Sequence, residues 1–136
     1  MDLAVTEGEL HTLLSEVAFT RQYGFRLHAI GDGECTLEVP FQEMFERPGA
    51  RVSGQVFMAA ADVAMWLAIK SRLGMAHDAL TSDLNTVFLS PAKTKVVYCT
   101  ARILKAGTRR FFGTAECHDN AGKVFTHHTL TNVRVS

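Results

Sequence analysis

One carboxylate stands apart from the other acidic side chains by its company. Asp62 interrupts the apolar run Val56-Phe-Met-Ala-Ala-Ala-Asp62-Val-Ala-Met-Trp-Leu-Ala-Ile69, and its neighbours three and four residues away are Met58, Ala59, Met65 and Trp66. None of these is a cation that could pair with it along a helix. A carboxylate removed from water without a partner is costly, so this position calls for a partner from elsewhere or for a chemical task. Two readings follow from the spacing alone: a solvated helix edge or a pairing with an arginine of another strand, and an acid–base or nucleophilic group.

A second candidate is the segment Ser53-Gly54-Gln55, which opens the same apolar run. Free backbone N–H groups and the positive end of the helix dipole collect there, and they suit an anion or a developing oxyanion. An ordinary N-cap followed by a small residue for close packing has the same pattern. Gly54 and Asp62 are eight residues apart in the sequence, or about 12 Å along a helix at ~1.5 Å per residue. They cannot serve one reacting atom within one chain. Two antiparallel helices facing each other across a two-fold axis would bring a carboxylate and an oxyanion site together, so the catalytic reading requires a homodimer with two equivalent sites.

Other residues offer less. Cys117-His118 and His127-His128 are adjacent pairs in extended segments, where neighbours point to opposite faces, so neither makes a dyad or a metal pair. His11, His28 and His77 are scattered singly, and no metal site and no cofactor is expected. Arg109 and Arg110, with Lys105, either hold a nucleotide phosphate at a sheet end or form a solvated hairpin. Thr81 and Ser82 could offer a hydroxyl near the helix.

These residues need elements to place them. Thr6-Glu7-Gly8-Glu9 has the capping-box pattern, and Leu10, Leu13, Leu14, Val17 and Ala18 follow at helical spacing, which predicts one short amphipathic helix. Phe25–Ile30 and Glu34–Val39 flank Gly31-Asp32-Gly33 and read as a hairpin ended by Pro40. The segment from Glu46 to Arg51 is loop by its Pro48-Gly49, and Ser53 is a good N-cap for a long helix reaching about Leu73. Lys70 and Arg72 suit the end of its dipole, and Gly74 a left-handed cap. Four strands then follow near Thr81–Leu89, Lys95–Lys105, Arg109–His118 and Lys123–Val135. In the third, Phe111, Gly113, Ala115 and Cys117 share one face, which is built to cover something apolar. A helix apolar nearly all round must be buried, and an antiparallel sheet is the element large enough to bury it. The prediction is an α+β fold with a curved antiparallel sheet wrapped around one long central helix.

The 136 residues suit one domain, spanning 1–136. Fourteen basic and fourteen acidic side chains cancel, so no positive field is available to attract nucleic acid or an anionic membrane surface. Three cysteines, Cys35, Cys99 and Cys117, without a C-x-x-C spacing fit neither a disulfide framework nor a zinc site. The N-terminal residues carry no export signal, and the apolar run is too short to span a bilayer. A cytoplasmic protein is expected.

The order of elements and motifs resembles the hotdog-fold acyl-CoA thioesterases, in particular the PaaI-like group, over most of the chain from about Phe25 to Val135. The segment Ser53-Gly54-Gln55-Val56-Phe57-Met58-Ala59-Ala60-Ala61-Asp62 is similar to that group's His-Gly-Gly helix entrance followed by small and apolar residues and a helical Asp. Thr81 to Ala92 resembles the family's strand leading into a Pro-Ala turn. Ala101–Gly107 and Asn120–Lys123 also fit. The resemblance implies hydrolysis of an acyl-CoA thioester to a carboxylic acid and free CoA. It implies that Asp62 is the nucleophile or the general base, that the Gly54 N–H of the facing subunit polarises the thioester carbonyl, and that Thr81 helps hold water or the carboxylate. The implied assembly is a homo-oligomer, a dimer or a tetramer built as a dimer of dimers. Two departures bear on substrate contacts: Ser53 and Gln55 replace the family's His and second Gly, and Arg47 stands at the loop position where some relatives carry Asn. Ser53, Gln55, Arg47, Met58, Arg109 and Arg110 are therefore the expected substrate-binding residues. A non-catalytic acyl-CoA binding module is the alternative. A hotdog dehydratase is a lesser one, because those relatives use a loop His and none lies between Cys35 and Gly54.

Overall fold

The computed structural model describes residues 2–136. In chain order the elements are α1 (Glu7–Glu16), α2 (Ala18–Tyr23), β1 (Arg26–Gly31), β2 (Glu34–Pro40), a 3-10 turn (Glu43–Phe45), β3 (Glu46–Arg47), β4 (Arg51–Val52), α3 (Gly54–Leu73), β5 (Ala79–Phe88), β6 (Val96–Ala106), β7 (Arg110–His118) and β8 (Val124–Arg134). Six of the strands form one antiparallel sheet in the order β1-β2-β6-β7-β8-β5. The sheet wraps around α3, so the expected α+β architecture is the one observed.

The core lies between α3 and the concave face of the sheet. Alternation on β7 directs Phe111, Gly113, Ala115 and Cys117 inward, and on β2 Cys35, Leu37 and Val39. These meet Ala60, Ala61, Ala64, Leu67 and Ala68 of α3, all fully buried. Small side chains on both layers let the helix lie close to the sheet. At Gly113 an added Cβ would come within 2.2 Å of the Arg102 carbonyl oxygen and 2.6 Å of Met65 Cε. No side chain fits between helix and backbone at that point.

The ends of α3 are tied down locally. Ser53 Oγ accepts from the Gln55 N–H at 3.3 Å, the expected N-cap. At the other end Arg72 pairs with Asp32 at 3.1 Å, and Ser71 Oγ accepts from the Gly33 N–H at 2.9 Å, which fastens the helix to the β1–β2 hairpin. Lys70 is buried; it donates to the His77 carbonyl and lies 3.6 Å from the Asp78 carboxylate.

Three local readings need correction. The first helix stops at Glu16, and Val17 turns extended (φ −75°, ψ 120°) before a second helix begins. Thr20 Oγ1 donates to the carbonyls of Leu14 and Val17 and holds that corner, which helical spacing does not register. The loop before α3 contains a miniature hairpin, with Arg47 opposite Arg51 and positive φ at Gly49 and Ala50. Gly74 has φ 84° but ψ 176°, so it leaves the helix in a glycine-only extended conformation rather than a left-handed turn.

Candidate active site

The sheet leaves one stripe of α3 partly open. Gly54, Met58, Asp62 and Trp66 recur every four residues along it, each half-buried, and Asp62 and Trp66 are flanked in the chain by buried residues. Beside this stripe runs β5, the edge strand, whose Leu80, Val87 and Phe88 are between 54% and 60% exposed.

At one end of β5 the Thr81 hydroxyl donates a short hydrogen bond to Asp62 Oδ1. Asn132, opposite Thr81 on β8, donates from Nδ2 to Thr81 Oγ1 at 3.2 Å. Its Oδ1 is buried without a hydrogen-bond partner among the described residues. A bulge between Thr81 and Asp83 turns Ser82 away, and its hydroxyl donates to the Thr131 carbonyl. Of the two hydroxyls expected near the helix, only Thr81 reaches Asp62. The ion pairs of the described residues include none to Asp62, so its partner is a hydroxyl rather than an arginine.

Asp62, Thr81 and Asn132 share a cleft of about 520 Å3 walled by Val63, Trp66, Phe19 and Leu80. The Trp66 indole is pinned, because its Nε1–H donates to Asp78 Oδ1 at 2.7 Å. Sequence reasoning missed Asn132, Trp66 and Phe19 as cleft residues. The signal for Asn132 was an amide in the inward phase of β8, where Leu130 precedes it.

Gly54 lies at the other end of β5, in a separate depression of about 290 Å3 beside Phe88. An added Cβ would come within 2.8 Å of Phe88 Cε1. The Val56 N–H is bonded to the Ser53 carbonyl and the Gln55 N–H to Ser53 Oγ, which leaves the Gly54 N–H without an acceptor among the described residues. Gln55 is exposed at this entrance. The structure thus brings Asp62 and Thr81 together and keeps Gly54 apart from them within one chain.

The remaining expected residues sit outside the Asp62 cleft. Arg47 is exposed on the miniature hairpin, and Met58 lies one turn before Asp62 on the open stripe. Arg110 stands opposite Val133, which in turn pairs with Leu80, so Arg109 and Arg110 mark the same end of the sheet as Thr81. Cys117 faces inward and His118 outward, as alternation requires. The Cys117 sulfur instead lies 3.9 Å from the fully buried His128 and donates to the Phe57 carbonyl. Burial raises its pKa, while hydrogen bonds from Cys99, His128 and Thr126 pull it down to about 6. It lines neither the Asp62 cleft nor the Gly54 depression.

A curved antiparallel sheet closed on one helix, with a carboxylate midway along that helix and a glycine at its entrance, is a hotdog domain. Residues 50–126 match the Thioesterase superfamily, and the chain belongs to that family. A protein of Sulfurisphaera tokodaii named "Putative esterase" is 28% identical over 116 residues, covering 85% of this chain and 86% of its own. The fold is shared with a thioesterase from Haemophilus influenzae (TM-score 0.89, 20% identity, 100% of this chain and 96% of that one). It is also shared with the PaaI protein of the Escherichia coli phenylacetic acid degradation operon (TM-score 0.85, 17% identity, 95% and 92%). No helix of the described residues is long and apolar enough to cross a membrane.

Proposed function

We propose that this chain is an acyl-CoA thioesterase whose active sites form between two copies. One observation carries the reading. Asp62 is held by Thr81 at one end of the free edge of β5, and Gly54 packs against Phe88 at the other. Antiparallel pairing of β5 with β5 of a second copy, about a two-fold axis at Asn85 and with the Thr81–Ser82 bulge occupying one ladder position, sets the Thr81 end of each chain opposite Phe88 of the other. Asp62 of one copy then faces the Gly54 N–H of its partner. The separation along α3 that forbids a site within one chain becomes the spacing between two sites. The same pairing covers a long edge with exposed apolar side chains, which soluble proteins rarely leave free.

The chemistry follows from the groups assembled. Asp62 Oδ1 already accepts the Thr81 proton, which leaves Oδ2 to take a proton from water. The water oxygen attacks the thioester carbon, and the new oxyanion meets the partner's Gly54 N–H and helix dipole. Collapse breaks the C–S bond, and the departing thiolate takes the proton back from Asp62. The products are a carboxylic acid and free CoA. Arg109 and Arg110 supply positive charge for the nucleotide phosphates, and Ser53, Gln55, Arg47 and Met58 flank the path between the two ends of β5. A reducing cytoplasm is the compartment in which CoA esters and three unpaired thiols coexist.

Thiol release from a panel of aryl-CoA and short- to long-chain acyl-CoA esters tests the proposal, with Asp62→Asn in parallel. The expected result is turnover by the wild type and a loss of about 10²–10⁴-fold in the variant, with a dimer or dimer of dimers retained by light scattering. Binding of acyl-CoA without turnover on any ester would favour the non-catalytic module and refute this reading.

A further inference from the structure

We infer that Asn132 is a positioning residue that acts on Asp62 through Thr81. The inference rests on the reading of Asp62 as the carboxylate of thioester hydrolysis. Thr81 Oγ1 has one proton and two polar neighbours, Asp62 Oδ1 and Asn132 Nδ2. A carboxylate oxygen accepts and an amide nitrogen donates. The contact is therefore directional: the amide occupies a lone pair of the hydroxyl, and the single proton is left to point at Asp62. The opposite amide orientation would present Oδ1 to the hydroxyl, so two acceptors would compete for one proton.

The sheet enforces this arrangement. Thr81 and Asn132 are direct partners in the β5–β8 register, so both side chains stand on the helix side, and the bulge that follows removes Ser82 from contention. Asn132 is 1% exposed, and its Oδ1 has no partner among the described residues. Packing alone does not account for an amide there. Leu130, two residues earlier on the same face, fills its place without any unsatisfied group. An acceptor left unpaired so that Nδ2 can serve Thr81 fits a residue retained for what it does to the hydroxyl. The net effect is a chain of two hydrogen bonds, Asn132 to Thr81 to Asp62, that holds one carboxylate oxygen and leaves the other free for water.

Kinetics of Asn132→Leu, Thr81→Val and the double variant test this chain. Asn132→Leu should lower kcat by up to about ten- to hundredfold, the worth of the Thr81 hydrogen bond to the charged Asp62 that the amide orients, with KM within about twofold. The double variant should be no slower than Thr81→Val, because Asn132 has no route to Asp62 except that hydroxyl. Thermal stability of Asn132→Leu should not fall with its activity, since the substitution removes an unpaired acceptor. Asn132→Ala, which adds no new group, carries the same test if the leucine variant does not fold. A kcat within twofold of wild type in the variant that folds, or a further tenfold loss on top of Thr81→Val, would overturn the inference. Infrared difference spectra keep it separate from the proposed function. The carboxylate band of Asp62, assigned by its loss in Asp62→Asn, should shift in the Asn132 variant as it does in Thr81→Val, even if no ester is turned over. An unmoved band would overturn it.

Discussion

Deleting one backbone proton tests the assembly of the proposed site from two chains. Gly54 is the first residue of α3, where proline is tolerated because its missing N–H has no intrahelical acceptor. Ser53, with φ −59° and ψ 138°, already has a conformation suited to a residue before proline. Gly54→Pro therefore removes the proposed oxyanion donor from a helix that can still form. Loss of one such donor costs about 10²–10³ in kcat, or about 2.7–4 kcal/mol. The control is Gly54→Ala, which keeps the N–H. Its Cβ would sit 2.8 Å from Phe88 Cε1, and the atom that must move is the far end of a side chain rather than backbone. That adjustment should cost less than about tenfold. The decisive assay mixes Gly54→Pro with Asp62→Asn by co-refolding and follows thiol release. Each should be nearly inactive alone, yet a mixed dimer would join the intact Asp62 of one chain to the intact Gly54 of the other. Random reassortment should restore about a quarter of wild-type activity, from one working site in half of the dimers. No recovery in verified heterodimers would refute the two-chain site. Equal losses in Gly54→Pro and Gly54→Ala would refute the role of the N–H.

Two further predictions probe the surroundings. Arg109→Ala with Arg110→Ala should raise KM for a CoA ester by about tenfold, and added salt should do the same to the wild type; the matching pantetheine thioester, which lacks the nucleotide, should respond to neither. Burial pushes the Cys35 thiol from 9.0 up to about 12. Its folded pKa lies above the unfolded one, so its stabilisation is complete below pH 9.0 and is lost as pH rises toward 12, at about 1 kcal/mol per pH unit. Urea denaturation across that window should show a shallower alkaline decline in Cys35→Ala than in the wild type.

What could be read from the sequence was what short-range hydrogen bonds and side-chain alternation decide. The Thr6 capping box, the Ser53 cap and the inward phase of Phe111, Gly113, Ala115 and Cys117 all appear in the structure where the residue order places them. Asp62 was legible for a related reason, since an acid among apolar helical neighbours is a local anomaly. The corner at Val17 was not, because Thr20 reaches back six residues to the Leu14 carbonyl. Neither was Asn132, whose contact with Thr81 spans 51 residues and depends on a strand register offset by a bulge. Cys117 teaches the same lesson: the histidine beside it in sequence points away, and the one beside it in space comes from the next strand.

Gly113 bears on how such a cleft can change. With the sheet backbone and Met65 already in contact there, α3 has no room to sink. The depth of the layer between helix and sheet is fixed by the absence of one methyl group. Under the proposed function, a different acyl group would be accommodated at the rim, where Phe19 and Leu80 are 49% and 60% exposed, and not by shifting the helix. Substrate preference can then drift through a few surface substitutions while the carboxylate, its hydroxyl and their register stay where they are.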